Sequence, residues 1–316
     1  MGINYMESDL LIFQEEFKTE EDCWSWMFKT RWPDGFTCPR CHNARFYFID
    51  KRKKFQCSNC TYQISVTAQT IFHKSKTPLL KWFWLIFRMS SSKTGVSIAE
   101  MQRELEIKDY KTIWVMAHKI RKAMADRDEK YNLDGLIEID ESFFGQKGTG
   151  KRGRGSESKL LVIIAISTWI NNDGNEQPGF ARAYVAADAS SKTIENLLRK
   201  IGTSEKDREF FITKIKSDGW RSYDSASSNL DIEHQRFILK NPADAAKYLP
   251  WVHKFISNAK SVFKGAHHGV SEKHLQMYLS EVCYRFNRRW WQPQLFHRLL
   301  NACLNTTAVT RKELMQ

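Results

Sequence analysis

Leu136-Ile-Glu-Ile-Asp140-Glu-Ser-Phe-Phe-Gly145 reads as a β-strand closed by a glycine, and it carries acid where a buried strand should be apolar. On alternating faces, Glu138 and Asp140 point one way and Ile137 and Ile139 the other. A carboxylate raised from an apolar strand needs a partner, and a divalent cation is the usual one. Taken alone, though, an aspartate in a strand is more often an edge or turn residue. The stretch therefore has to be read with its surroundings. Residues 159–168 and 180–187 are further β-branched runs, 191–201 a helix, 210–216 a strand, 220–226 a short helix and 234–239 a strand. The chain beyond 250 has helical periodicity.

That element order predicts an α/β fold over residues 134–290, an RNase H-like mixed sheet flanked by helices. In such a sheet the metal-binding carboxylates come from the first strand, the end of the fourth and a later helix. Asp218 falls at the second of these places, in Lys216-Ser-Asp218-Gly-Trp220, where a strand stops and Gly219 lets backbone and ligand approach. Two aspartates at the ends of neighbouring strands suit phosphodiester cleavage and strand transfer, which use two metal ions roughly 4 Å apart.

Upstream, Cys38-Pro-Arg-Cys41 and Cys57-Ser-Asn-Cys60 flank a hairpin-like stretch of aromatic and basic residues. Two C-x-x-C knuckles at this spacing predict one structural Zn²⁺ held by Cys38, Cys41, Cys57 and Cys60, with an iron–sulfur cluster as the weaker alternative. Four sulfur ligands leave no position for water, so this metal is structural. Arg40, Arg45, Lys51, Arg52 and Lys53, interleaved with Phe46, Tyr47, Phe48 and Phe55, are expected to meet DNA backbone, against the plainer reading of a solvated turn. Residues 20–31 have helical spacing, and 78–89 form a very apolar helix. Ser97 and Glu100 make a capping box for a short helix. A second helix follows, with Ile113, Met116, Ala117, Ile120, Ala123 and Met124 on one stripe. The pair predicts a helix-turn-helix. Lys111, Lys119 and Arg121, off the stripe, are read as DNA contacts in preference to a plain helical hairpin.

Forty-nine Lys and Arg against 36 Asp and Glu give a net charge of +13, which favours a polyanionic partner, nucleic acid before membrane. The apolar runs are far short of the roughly 20 residues of a bilayer span, and the acidic N-terminus is unlike a secretory signal, so a cytoplasmic location is expected. Cys23, Cys283 and Cys303 stand alone and read as small buried hydrophobes.

Taken together, the chain resembles the bacterial insertion-sequence transposases that place a zinc ribbon and a helix-turn-helix before a DDE-type domain. The resemblance rests on Glu138-Ile-Asp-Glu-Ser-Phe-Phe-Gly145, Ser217-Asp-Gly-Trp220, Val252-His-Lys-Phe-Ile-Ser-Asn-Ala-Lys260 and Gly265-Ala-His-His-Gly-Val-Ser271. It implies Mg²⁺-dependent cleavage at element ends, with Mn²⁺ as a substitute, followed by attack of the freed 3′-hydroxyl on target DNA. It also implies double-stranded DNA as partner, in the form of terminal inverted repeats and target, and a homodimer or higher assembly.

The third ligand is open between two residues. An Asp-Asp-Asn-Lys pattern, implied by the resemblance, selects Asn258 with Lys260 beside Asp140 and Asp218. Spacing selects His253 instead: 34 residues separate it from Asp218, and Lys260 lies seven beyond it. On a helix that puts His253 and Lys260 on one face about 10 Å apart, with Asn258 rotated about 140° from His253. Lys260 reads as a phosphate contact, and the glycine-spaced basic loop with Lys151, Arg152 and Arg154 as a DNA-contacting loop. The expected organisation is an N-terminal helical segment over 1–35, the ribbon over 36–66, a helical linker over 75–130, the sheet domain over 134–290 and a helical tail over 291–316. The alternatives are a DNA-binding regulator or decayed transposase without catalysis, and a structure-selective nuclease of the same fold.

Overall fold

The structure, a computed structural model, describes residues 5–145, 159–204, 208–238, 244–267, 270–291 and 294–315. It divides into two compact units, residues 1–124 with 290–316, and residues 125–289.

In the first unit, helices α1 (Tyr5–Glu16) and α2 (Glu20–Arg31) precede a three-stranded sheet of β1 (Phe46–Ile49), β2 (Lys54–Cys57) and β3 (Gln63–Ile64). Thr19 and Asp22 form a reciprocal capping box that starts α2. Phe55, buried on β2, is the hub of an aromatic cluster, its ring centroid lying 5.1–5.5 Å from those of Trp24, Phe28, Trp32, Phe36, Phe46 and Phe48. These rings supply a core that a stretch this short lacks in aliphatic residues.

Helix α3 (Leu79–Ser91) begins after Pro78, which offers no capping side chain. The carboxylate of Glu20 fills that role from a distance, accepting the N–H groups of Leu79 at 2.8 Å and Leu80 at 3.0 Å. Ser97 accepts the Glu100 N–H to open α4 (Ile98–Glu104), and α5 (Tyr110–Asp128) follows. The expected stripe of α5, Ile113 to Met124, is buried throughout. The DNA-facing assignment of Lys119 and Arg121 is corrected: they are only 9% and 0% exposed, and Lys119 Nζ donates to the Ile71 carbonyl at 3.0 Å. His118 is buried as well, so this part of the helix is enclosed beyond its apolar stripe. Lys111, near the start of α5, is exposed. The C-terminal α11 (Leu295–Asn305) joins this unit, its Phe296 ring lying 5.3 Å from Phe13 and 5.7 Å from Phe17. Helix α12 (Arg311–Leu314) ends it.

The second unit is built on a five-stranded mixed sheet, in the spatial order β6 (Glu176–Ala186), β5 (Lys159–Ile170), β4 (Gly135–Gly145), β7 (Ile212–Ser217), β8 (Glu233–Arg236). β4, β5 and β6 pair antiparallel, while β7 and β8 continue in parallel from β4. This is the predicted RNase H-like arrangement. The β5–β6 hairpin is longer than the sequence pattern implied because Asn171 Oδ1 accepts the N–H groups of Asp173 and Asn175, closing a tight turn.

Side-chain alternation separates two cores. Ile137, Ile139, Ile163 and Ala165 pack under α6 (Ser191–Gly202) and α7 (Ser222–Leu230). Val162, Ile164 and Ile166 pack under α9 (Pro250–Gly265), which follows the short α8 (Ala245–Tyr248), and under α10 (Leu275–Asn287). Beyond α10, Arg288 is buried against Asp128 at 2.6 Å and Arg289 donates to backbone carbonyls, so these arginines close a packed helix end. Cys23, Cys283 and Cys303 are buried as expected.

Candidate active site and metal centres

Alternation on β4 turns Glu138 and Asp140 toward α9 and Glu141 toward α7. The parallel register pairs Glu138 with Lys216. Two residues on, Asp140 therefore meets Asp218 just past the end of β7. Oxygens of Asp140, Glu141 and Asp218 lie within 4.8 Å of one another. Burial, with Glu141 and Asp218 beside it, pushes the Asp140 carboxyl up to about 8. Asp140 Oδ1 accepts the Glu141 N–H at 2.8 Å, and Glu141 is held from the other face by the buried Tyr223 hydroxyl at 3.0 Å. Asp218 Oδ1 accepts the N–H of Trp220 at 3.0 Å. A Cβ at Gly219 would meet nothing nearer than 3.7 Å, so packing does not require the glycine there.

Helix α9 supplies the third group. His253 Nε2 lies 3.5 Å from Asp140 Oδ2, and that ring nitrogen is buried with no hydrogen-bond partner among the described residues. Burial lowers the imidazole below its ordinary value, which keeps it neutral and able to donate a lone pair. Lys260, two turns on and on the same side, donates to Ser142 Oγ at 2.7 Å. Asn258 is exposed and about 140° around the helix from His253, and of the two it is His253 whose ring lies beside Asp140.

The helix is anchored from the same strand. Glu138, with no exposure, accepts the N–H groups of Trp251 and Val252 through Oε2, both at 2.9 Å. Its spacing of two from Asp140 was visible in the sequence; its role as a cap was not. Glu141 and Tyr223 were missed because alternation assigns Glu141 to the far face. The converged carboxylates and the orphaned imidazole fit a divalent cation, the oxygens suiting Mg²⁺ and the nitrogen tolerating Mn²⁺.

In the ribbon, the sulfurs of Cys38 and Cys60 lie 3.6 Å apart and those of Cys41 and Cys57 3.5 Å. Four thiolates at a Zn–S distance of about 2.3 Å place their sulfurs about 3.8 Å apart, so the cluster has the donor set and spacing of a structural zinc site. The backbone N–H of Cys60 helps pull the Cys57 thiol down to about 6. Arg40, Arg45, Lys51, Arg52 and Lys53 are exposed around it, Lys53 pairing with Asp50 at 2.9 Å. Lys151, Arg152 and Arg154 lie outside the described residues, as does His268, while the His267 ring packs 4.6 Å from Tyr278.

Residues 132–287 match the ISXO2-like transposase domain, and residues 18–63 match the transposase zinc-ribbon domain. The chain is 24% identical over 284 residues to an uncharacterized protein in transposable element ISH50 of Halobacterium salinarum, covering 83% of this chain and 89% of that one. Among solved structures it is similar to the catalytic core domain of BIV integrase, with 13% identity and a TM-score of 0.28 over 46% of this chain and 80% of that one. It is also similar to a simian T-cell lymphotropic virus intasome in complex with PP2A regulatory subunit B56 gamma, with 14% identity and a TM-score of 0.32 over 64% and 70%. Both scores are too low to bear on the site. The two domain matches fall, in order, on the cysteine cluster and on the acidic strand, so the chain joins a stretch similar to transposase zinc ribbons to one similar to ISXO2-like transposase domains.

Proposed function

We propose that this transposase cleaves DNA at the ends of its element and transfers the freed 3′-hydroxyl to target DNA, with Asp140, Asp218 and His253 holding divalent metal. The observation that carries this reading is the convergence of Asp140, Glu141 and Asp218 within 4.8 Å where the parallel β4–β7 pair opens. Bound there, Mg²⁺ would supply activation of the attacking oxygen and stabilisation of the leaving oxygen. The chain's own groups do the rest. Asp140 and Asp218 supply oxygen donors from a rigid sheet, Tyr223 orients Glu141, and Glu138 holds the helix that aims His253. To the Lys260 ammonium, which reaches β4 at Ser142, we assign a non-bridging phosphate oxygen. Exposed Lys111 and the ribbon's Arg40, Arg45, Lys51, Arg52 and Lys53 are assigned to double-stranded DNA, with two protomers bringing two ends together.

The test is incubation with DNA carrying the element's own terminal repeats and Mg²⁺. Asp140→Ala and Asp218→Ala should bind the repeats and lose cleavage by on the order of a thousandfold, several kcal/mol of transition-state stabilisation. His253→Ala should be impaired and Asn258→Ala close to wild type. Equal cleavage by wild type and either aspartate variant sinks the assignment. Binding by wild type with no cleavage under any divalent metal favours the regulator.

A further inference from the structure

Asp218 stands beyond the last residue of β7, where the β-ladder no longer holds the backbone. A second polar network grips the chain on both sides of it. Before it, the fully buried Ser217 Oγ lies 2.7 Å from His234 Nε2, and His234 Nδ1 lies 2.9 Å from Asp224 Oδ1. After it, Arg236 Nε donates to the Gly219 carbonyl at 3.1 Å, and Arg236 also bonds the second Asp224 oxygen at 2.9 Å. One carboxylate on α7 thus engages two side chains of β8, and these reach residues 217 and 219.

Ser217, His234 and Asp224 have the composition of a hydrolytic triad. With no exposure at Ser217, however, no substrate can reach its hydroxyl, so nucleophilic catalysis is excluded. Burial lowers the His234 imidazole. The Ser217 hydroxyl, beside His234 Nε2, also donates to the Asp218 carbonyl at 3.1 Å. What the network can do is fix the Ser217-Asp218-Gly219 turn, as outer partners fix the groups that bind metal.

We propose that Asp224 is a positioning residue for Asp218, acting through His234 and Arg236 to hold the backbone on both sides of that carboxylate. The proposal rests on the reading of Asp140 and Asp218 as metal-holding groups. Its test uses the full chain without DNA and Mn²⁺ as the probe, followed by electron paramagnetic resonance. A control comes first: Mn²⁺ binding that is absent from wild type or unaltered in Asp140→Ala overturns the metal-site reading itself.

With that control passed, Asp224→Ala should weaken Mn²⁺ binding about tenfold to a hundredfold. It should also speed amide hydrogen exchange in residues 217–220 while exchange across β4 and β5 stays as in wild type. Ser217→Ala, which removes a single hydroxyl, should move both readouts in the same direction by less. A network that only stabilises the fold would lower the melting temperature and leave the Mn²⁺ affinity of the folded protein unchanged. Unchanged affinity in folded Asp224→Ala, or in folded Ser217→Ala should the first variant not fold, overturns the proposal.

Discussion

Glu138 caps Val252: its buried Oε2 accepts the Val252 N–H at 2.9 Å, 114 positions along the chain, and the adjacent Trp251 N–H at the same distance. The strand that bears Asp140 therefore also holds the helix that bears His253. Glu138→Ala leaves two helix-terminal donors without their acceptor and is expected to cost about 1–3 kcal/mol of stability. Glu138→Gln keeps a carbonyl acceptor and should lose less than half as much. Urea unfolding of the three proteins checks this, and an alanine variant as stable as wild type would show the cap to be dispensable.

Metal binding should depend on pH through Asp140. Burial, Glu141 and Asp218 raise this carboxyl from 3.8 to about 8, so the folded metal-free chain keeps a proton that the unfolded chain has released. Its contribution to stability is fully present below pH 3.8 and is lost as pH rises through about 8. A bound cation must displace that proton. Mn²⁺ affinity is therefore expected to climb by up to about tenfold per pH unit below pH 8 and to level off above it. Calorimetric titration across this range decides the matter, and a flat profile would contradict the assignment.

The two metal sites should separate by mutation. Cys57→Ser breaks the ribbon's four-sulfur shell, whose binding free energy is also folding free energy for a segment held by aromatic packing around Phe55. Specific binding to the element's ends should disappear, while residues 134–290 keep a cooperative unfolding transition. Footprinting beside circular dichroism distinguishes the outcomes. Undiminished specific binding would remove the ribbon from recognition and leave it as a structural cap.

Much of this molecule was legible in local pattern. Alternation on β4 placed Glu138 and Asp140 on one face, the expected α2 matches Glu20–Arg31, and the matched C-x-x-C pairs located the cysteine cluster. Short-range geometry also put His253 and Lys260 on one side of α9, because seven residues on a helix return a side chain to the same side. The failures were equally specific. Lys119 and Arg121 look like a basic stripe, yet the helix is enclosed there, and no local pattern reports how many neighbours will surround it.

By itself, the sequence determined what depends on neighbours a few positions apart: strand and helix periods, caps, the pairing of the ribbon's cysteines, and the places of Asp140 within one strand and Asp218 just past the end of another. Only the tertiary structure decided the rest. It brought Glu138 to the start of α9, Tyr223 to Glu141, and Asp224, through His234 and Arg236, to the turn around Asp218. Each of these contacts joins elements separated in the chain. Each satisfies a buried or half-buried polar group whose partner is chosen by how sheet and helices stack, and that choice does not exist until the core has formed.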